Sequence, residues 1–225
     1  MGKRAASDDV ETLRRNVERA LRDAVGRDEV LPMLTRLARS AKPESEAWLL
    51  AHRHLAELVA EHEPWRAALF ARRVVRVDDD NDGAWAVLGL AQSLLGNYRA
   101  AAAAYQRALH LVPHNPWYAH NLGHLLDFAL ARPADALPWL ASAHAREPKQ
   151  DEISASYAHA LARVGRLALA KRVLKPVIAR GATADQHALW RWIDAGAPER
   201  DAAPARPPRK PARRRARATP KAQRS

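Results

Sequence analysis

Apolar residues recur at helical spacing along most of the chain, whereas the alternation of apolar and polar residues that indicates a β-strand is scarce. Within this pattern, small residues recur with a period of 33 to 35 positions. The first small residue of each period is Ala56, Gly89, Gly123 or Ala158, and the second is Ala68, Ala101, Ala136 or Ala170. A period of this length with two helical halves predicts an all-α solenoid of stacked helical hairpins.

Helix packing explains why small residues recur at these positions. Two antiparallel helices approach closely only where the facing side chains are small, so we expect Gly89 to face Ala101 and Gly123 to face Ala136. Aromatic residues are expected to fill the wedge between units, and prolines to end the second helix, because proline cannot continue one. The residues predicted to do so are Trp85, Tyr98 and Tyr105, followed by Pro113 and Pro148.

The stretch from Asp82 to Asn115 carries the most complete copy of the repeat. Its marks are Trp85, the pair Leu88 and Gly89, then Tyr98, Ala101, Tyr105, Ala108 and Pro113. This copy resembles the tetratricopeptide repeat, whose marks are a Trp, a Leu-Gly pair, an aromatic residue, an Ala, a second aromatic residue and a closing Pro. The resemblance implies a right-handed solenoid of four to five such repeats, with a concave groove that holds a peptide or helix of a partner protein.

The same marks predict how the chain is divided. The third copy has one extra residue, which we place around Arg132 and Pro133. In the last predicted helix, Leu189, Trp192 and Ile193 form an apolar face that can cap the solenoid. The predicted parts are a flexible N-terminus (1–8), a degenerate helical hairpin or cap (9–44), a repeat region (45–184, with copies at about 49–82, 82–115, 116–150 and 151–184), a capping helix (184–197) and a disordered basic tail (198–225).

The resemblance also implies which residues face the groove, because the first helix of each tetratricopeptide repeat turns one face toward it. Mapped by spacing from Leu122 and Gly123, these are Trp117, His120, Asn121, His124 and Asp127, joined by Glu152 and His159 of the next unit. His120 stands where family members that clamp a terminal carboxylate have Lys, so capture of such a tail is not implied. The alternative is that these residues form ordinary solvated helix surface.

The residues of this face do not predict a metal site. His120 and His124 are one helical turn apart with Asp127 on the same face, which is geometrically adequate for a metal. The zinc-protease pattern, however, requires Glu directly after the first His, and Asn121 occupies that place. No Gly-x-Ser-x-Gly elbow, phosphate loop or dinucleotide glycine pattern occurs either. The sequence therefore predicts no catalytic residue, no metal and no cofactor.

Composition and charge narrow the class of protein further. The chain has 225 residues and a net charge of +12, without any Cys, so neither disulfides nor thiolate zinc sites are possible. Its start lacks the apolar core of a secretory signal, and no stretch of 18 apolar residues occurs. We therefore expect a cytoplasmic protein.

The last 28 residues differ in character from the rest. Residues 198–225 contain ten basic, two acidic and six proline residues, and no aromatic residue. Such a segment cannot bury enough apolar surface to fold alone. Its positive charge is suited to binding the phosphates of nucleic acid, an anionic membrane or an acidic protein. The alternative is a solubilising tail without a partner. Its dense centre is Arg206, Arg209, Lys210, Arg213, Arg214, Arg215 and Arg217.

These observations predict a non-enzymatic scaffold or adaptor. It would hold a partner protein in the groove, while the basic tail supplies electrostatic attachment. The alternative is a nucleic-acid-associated protein whose tail binds DNA or RNA without sequence preference. A third interpretation is an accessory subunit of an enzyme.

Overall fold

A computed structural model describes the backbone of residues 2–198 and the side chains of residues 9–198. Over this part of the chain, every regular element is a helix. The elements are α1 (Gly2–Arg22), α2 (Arg27–Ser40), α3 (Glu46–Val59), α4 (Pro64–Val77), α5 (Asp82–Leu94), α6 (Tyr98–Leu111), α7 (Pro116–His124), a π-helical segment (Leu125–Ala129), α8 (Pro133–Arg146), α9 (Asp151–Arg163), α10 (Leu167–Ala179) and α11 (Ala184–Asp194).

The helices stack in the order in which they follow along the chain. Each helix packs against the next, so α3 and α4, α5 and α6, α7 and α8, and α9 and α10 form hairpins. The odd-numbered helices also touch one another, α1 with α3, α3 with α5, α7 with α9 and α9 with α11. They therefore lie side by side, and we call the surface they share the odd-numbered face.

Short polar residues and prolines explain where the helices begin. Ser45, Asn81 and Asn115 accept hydrogen bonds from backbone amides of α3, α5 and α7, which satisfies donors that have no partner within the helix. The chain enters α11 through a capping box, in which Thr183 and Gln186 exchange side-chain and backbone hydrogen bonds. The helix starts with a first-turn proline are at Pro64, Pro116 and Pro133.

Glycine allows the close approach of the two helices in the central hairpins. A Cβ atom on Gly123 would lie 2.6 Å from the Cγ of Leu140 and 3.3 Å from the carbonyl oxygen of Ala136. A Cβ atom on Gly89 would lie 2.8 Å from the ring of Tyr105, so the ring of Tyr105 fills the place that we had predicted for Ala101. Both glycines thus lie at contacts too close for a side chain.

Four buried clusters run along the solenoid, one after another. Each is shared between neighbouring hairpins, which agrees with units that bury their apolar faces only by stacking. In the last cluster, Ile193 of α11 is fully buried and Leu189, Trp190 and Trp192 pack against it. Trp190 and Trp192 therefore contribute to the same packing.

Some features differ from the sequence predictions. Helix α1 begins at Gly2, seven residues before the predicted start at residue 9, because residues 3–6 are Lys, Arg and two Ala residues, which favour a helix. Helix α11 ends at Asp194, before residue 197, because Gly196 and Ala197 adopt positive φ angles of 89° and 49°. Tyr98 is exposed and does not fill the wedge between units, since it is the first residue of α6, whereas Tyr105 is buried.

The tail prediction falls outside the part that the structure describes. Residues 199–225, with their predicted disorder and the seven basic residues of the dense centre, lie beyond the last described residue, Pro198. None of the described helices combines the length and the apolar character that a bilayer-spanning segment needs.

Candidate partner-binding groove

A pocket of about 530 Å³ opens on the odd-numbered face. It lies where the end of α7 and the π-helical segment meet α9 and α11. Its walls include His124 and Phe128, then Glu152, Ser156 and His159 of α9, and Asp185, Leu189 and Trp192 of α11. Because its walls come from α7, the π-helical segment, α9 and α11, the pocket depends on the stacking of the last two hairpins and the capping helix.

The π-helical segment Leu125–Ala129 gives this pocket its local shape. The amide of Leu130 donates to the carbonyl oxygen of Leu125 at 3.1 Å, five residues back, where an α-helix would use the residue four back. This wider turn absorbs the extra residue of the third repeat. The prediction that the extra residue lies around Arg132 and Pro133 was therefore wrong, and those two residues belong to a turn of ordinary length.

Six rings follow one another along the odd-numbered face, and the last four of them line the pocket. We call them the aromatic column: Trp117, His120, His124, Phe128, His159 and Trp192. The closest contacts lie at its centre, where the ring centroids of His124 and Phe128 are 4.5 Å apart and those of Phe128 and His159 are 4.2 Å apart. The ring of Trp192 stacks on His159 at 5.2 Å. Stacked contacts of this kind hold amphipathic rings in fixed positions.

A buried ion pair holds the ring of His159 in its place in the aromatic column. The carboxylate of Asp127, which is 0% exposed, accepts hydrogen bonds from His159 Nδ1 at 2.5 Å and from the guanidinium of Arg163 at 2.9 Å. Arg163 also donates to the carbonyl oxygen of Asp127 at 2.5 Å. These bonds compensate the buried charge and orient the ring of His159. They also occupy the carboxylate that the sequence had placed beside His120 and His124 as a possible metal ligand.

A serine links the two histidines of α7 to α9. Ser156 Oγ lies 3.0 Å from His120 Nε2 and 3.4 Å from His124 Nδ1. Desolvation lowers the pKa of His120 and the pKa of His124 below the ordinary value for histidine, and it outweighs nearby carboxylates such as that of Glu152, which act in the opposite direction. Both rings are therefore neutral near pH 7, so this part of the column is an uncharged aromatic surface there.

The structure corrects the placement of two predicted groove residues. His120 is only 3% exposed and Asp127 is fully buried, so neither can contact a partner directly. His120 is covered because Ser156 of the next repeat packs over it, and Asp127 turns inward with the π-helical segment. Their place in the site is to hold the residues that do line it.

The other predicted residues are accessible to different degrees. Trp117 is 41% exposed, His124 and Glu152 are exposed, and Asn121 and His159 are half-buried. His124, Glu152 and His159 line the pocket, whereas Trp117 lies at the far end of the column. Three of the predicted residues thus lie in the pocket, and their contact with a partner stays a prediction.

The sequence analysis did not identify the pocket residues that the π-helical segment and α11 contribute. Phe128 is 52% exposed and lines the pocket, although it was not predicted as a groove residue. The signal for it was the length of the third repeat, since an extra residue inside a helix changes which side chains point outward. Trp192 was assigned only to the apolar face of the cap, and Asp185 was not predicted as a groove residue.

The rim of the pocket is acidic. Glu152 at the start of α9 and Asp185 at the start of α11 both line it, and each stabilises its helix as a negative charge in the first turn. Within residues 9–198, neither carboxylate forms an ion pair, and no Lys or Arg lines the pocket. The same residues contain no group of three metal-ligating side chains. The pocket therefore offers negative charge beside aromatic rings.

Comparison with solved structures places this architecture among known folds. YrrB, described as a TPR protein with an unusual peptide-binding site, matches with a TM-score of 0.62 and 22% identity over 75% of this chain and 85% of its own. TTC0263, a thermophilic TPR protein of Thermus thermophilus, matches with a TM-score of 0.59 and 17% identity over 83% and 99%. PilF of Pseudomonas aeruginosa matches with a TM-score of 0.67 and 18% identity over 85% of each chain.

These likenesses confirm the predicted fold class and, at the level of fold, the resemblance to the tetratricopeptide repeat. No protein-family model matches the sequence, and no curated protein matches it. The identities are all low, so what these solved proteins bind does not transfer to this chain by similarity alone.

Proposed function

We propose that this chain, which has the fold of tetratricopeptide-repeat proteins, is a non-enzymatic scaffold that holds a peptide or helix of a partner protein between α7, α9 and α11. The observation that carries the proposal is a pocket of about 530 Å³ in which the last four rings of the aromatic column lie beside two carboxylates. A volume of this size lies within the range of about 300–1,000 Å³ that is usual for ligand sites. The proposed place of action is the cytoplasm.

The exposed aromatic rings support protein recognition. Phe128 and Trp117, at the middle and the end of the column, are both large and well exposed. Aromatic side chains of this kind supply contact area at low entropic cost and often dominate binding energy. The rings are held by stacking and by the bonds of His159 and Ser156, so little order has to be gained when a partner binds.

The chemistry of the pocket favours a particular kind of segment. The ring of Phe128 is stacked on both faces by His124 and His159, so an apolar side chain of the partner would pack against its exposed edge. A basic side chain would meet Glu152 and Asp185. We therefore infer that the partner presents an apolar residue next to a Lys or Arg residue. The basic tail would add electrostatic attachment to the same assembly or to another anionic surface.

The test is affinity capture from the source cells with full-length baits. We expect Phe128→Ala combined with Trp117→Ala to reduce capture of the partner by at least about tenfold, because each exposed aromatic anchor is worth about 1–2 kcal/mol. The control carries Trp65→Ala and Leu69→Ala, which remove equally exposed apolar side chains from α4, off the odd-numbered face. Helix content by circular dichroism should remain the same in all three proteins.

Equal capture by the groove variant and the control would contradict the proposal. A groove variant that loses helix content would instead assign these rings to the core, and the milder change His124→Ala would then test the same surface. The accessory-subunit interpretation differs from the scaffold only in the identity of the captured protein.

A second candidate function rests on the charge of the tail. Ten basic residues against two acidic ones in residues 198–225 suit contacts with nucleic-acid phosphates. In that case the tail would be the main functional element and the groove would be secondary. Binding of DNA that disappears when the tail is neutralised would support this alternative.

A further inference from the structure

The chain leaves the folded region beside the pocket. After α11, the amide of Ala197 donates to the carbonyl oxygen of Trp192 at 2.8 Å, which ends the helix in a tight turn. The indole Nε1 of Trp192 then donates to the carbonyl oxygen of Pro198 at 3.0 Å. The residue at which the tail begins is therefore hydrogen-bonded to a side chain that forms one wall of the pocket.

The pocket and the tail have opposite charges. Glu152 and Asp185 line the pocket without a basic partner among residues 9–198, although the whole chain has a net charge of +12. Nearby positive charge is compensated, since Arg163 is bound to Asp127 beneath the column. Carboxylates beside apolar ring edges are surroundings in which guanidinium groups bind well, because the planar group pairs with the carboxylates and packs on the apolar surface.

We propose that the arginine-rich tail folds back into this pocket and places an arginine side chain between the aromatic column and the carboxylates of Glu152 and Asp185. The tail of the same chain is then the resident occupant of the groove, and a partner protein must displace it. This inference rests on the proposed function of the groove and adds a regulation of the same site.

The length of the tail permits this contact. Helix α11 has 11 residues, so Asp185 near its start lies within about 16 Å of the end of the helix. The stretch from Pro198 to Arg206 can span up to about 26 Å. Arg206 and the basic residues after it can therefore reach Asp185 and the pocket that Asp185 and Glu152 both line. A tether of this length holds its charges near the pocket at an effective concentration of roughly millimolar.

The test uses a full-length variant in which the seven basic residues of the dense centre are replaced by Gln, which we call the tail-neutral variant. The probe is a fluorescent synthetic peptide of residues 199–225, and its anisotropy measures binding. We expect the peptide to bind the tail-neutral variant at least about tenfold more tightly than the wild type, because the attached tail competes for the pocket. The replaced residues are Arg206, Arg209, Lys210, Arg213, Arg214, Arg215 and Arg217.

A second pair of variants locates the binding site. In the tail-neutral background, Glu152→Gln with Asp185→Asn should weaken peptide binding by at least about tenfold, since two charge-assisted contacts are lost. The matched control is Asp23→Asn with Glu61→Gln, which removes the same charge at exposed turn positions outside the pocket. Its affinity for the peptide should equal that of the tail-neutral variant.

Several outcomes would overturn the proposal. Equal affinity of the peptide for the wild type and the tail-neutral variant would show that the tail does not occupy the groove. If the pocket variant (Glu152→Gln with Asp185→Asn) and the control variant lost peptide binding equally, the peptide would be held by the overall negative charge of the protein and not by the pocket. A dimer of the wild type in sedimentation, absent from the tail-neutral variant, would assign the contact to the tail of a second copy.

The capture experiment separates this proposal from the proposed function. If the groove variant loses the partner while the wild type and the tail-neutral variant capture it equally, the groove binds a partner and the tail does not compete for it. If the peptide binds as expected but no partner depends on Phe128 and Trp117, the tail contact stands and the scaffold function fails.

Discussion

At the scale of single residues, the contact between α7 and α8 depends on Gly123. We expect Gly123→Ala to lower the free energy of unfolding by about 1–3 kcal/mol, because overpacking forces side chains and backbone apart. The new methyl group would lie 2.6 Å from the Cγ of Leu140, which is fully buried and has no room to move. Thermal unfolding followed by circular dichroism measures the change.

The control for this prediction is Gly83→Ala in α5. The added methyl group would have only Asn81 Oδ1 within 4 Å, at 3.8 Å. Since alanine favours a helix over glycine by up to about 1 kcal/mol, this variant should be as stable as the wild type or slightly more stable. If Gly123→Ala also left the unfolding temperature unchanged, the hairpin would not depend on close packing at this position.

Single residues also show where sequence reasoning was reliable. The small residues Gly89 and Gly123 were predictable, because the reason for them is local and steric. The burial of His120 and Asp127 was not predictable, because it depends on residues of the next repeat. Ser156 covers His120, and His159 and Arg163 bind Asp127. A mapping by helical spacing gives the side of a helix on which a residue lies, but not what covers that side.

At the scale of elements, the turn after the π-helical segment carries a strained residue. Ala131 has a φ angle of 52°, whereas Gly96 and Gly165 occupy the corresponding turns of the neighbouring hairpins with φ angles of 76° and 80°. We expect Ala131→Gly to raise the free energy of unfolding by about 0.5–1 kcal/mol, since glycine adopts this conformation without a steric cost. Urea unfolding measures the difference.

The reciprocal change Gly96→Ala tests the same argument with the opposite sign. Nothing lies within 4 Å of a Cβ atom at this position, so only the backbone conformation should matter. We expect a loss of about 1 kcal/mol. A gain in stability from Gly96→Ala, or a loss from Ala131→Gly, would mean that these turns relax to negative φ angles in the variants.

The same turn explains an error in element prediction. The sequence showed that the third repeat has an extra residue, and we placed it around Arg132 and Pro133. The structure keeps the turn at Ala131 equal in length to the turn at Gly96 and widens the preceding helix instead. Where a helix must present a particular side chain, here Phe128, a π turn changes the direction of that side chain.

At the scale of the whole molecule, the period of the sequence was sufficient to predict the fold. A solenoid repeats the same local contacts, so marks 33 to 35 residues apart specify the hairpins and their stacking. The groove was only partly predictable, because its pocket combines a π-helical segment in one repeat, α9 in the next and Trp192 in the cap. Those three parts share no periodic mark.

The charge of the whole molecule leads to the last prediction, which concerns nucleic acid. If the tail makes about eight phosphate contacts, the affinity of the full-length protein for a short DNA duplex should fall with salt at a log-log slope of about −7. The tail-neutral variant should give a slope shallower than about −3, and Glu152→Gln with Asp185→Asn should bind more tightly at equal salt, because it frees the tail. Titrations at several salt concentrations measure this. A steep slope retained by the tail-neutral variant would place DNA binding on the helices.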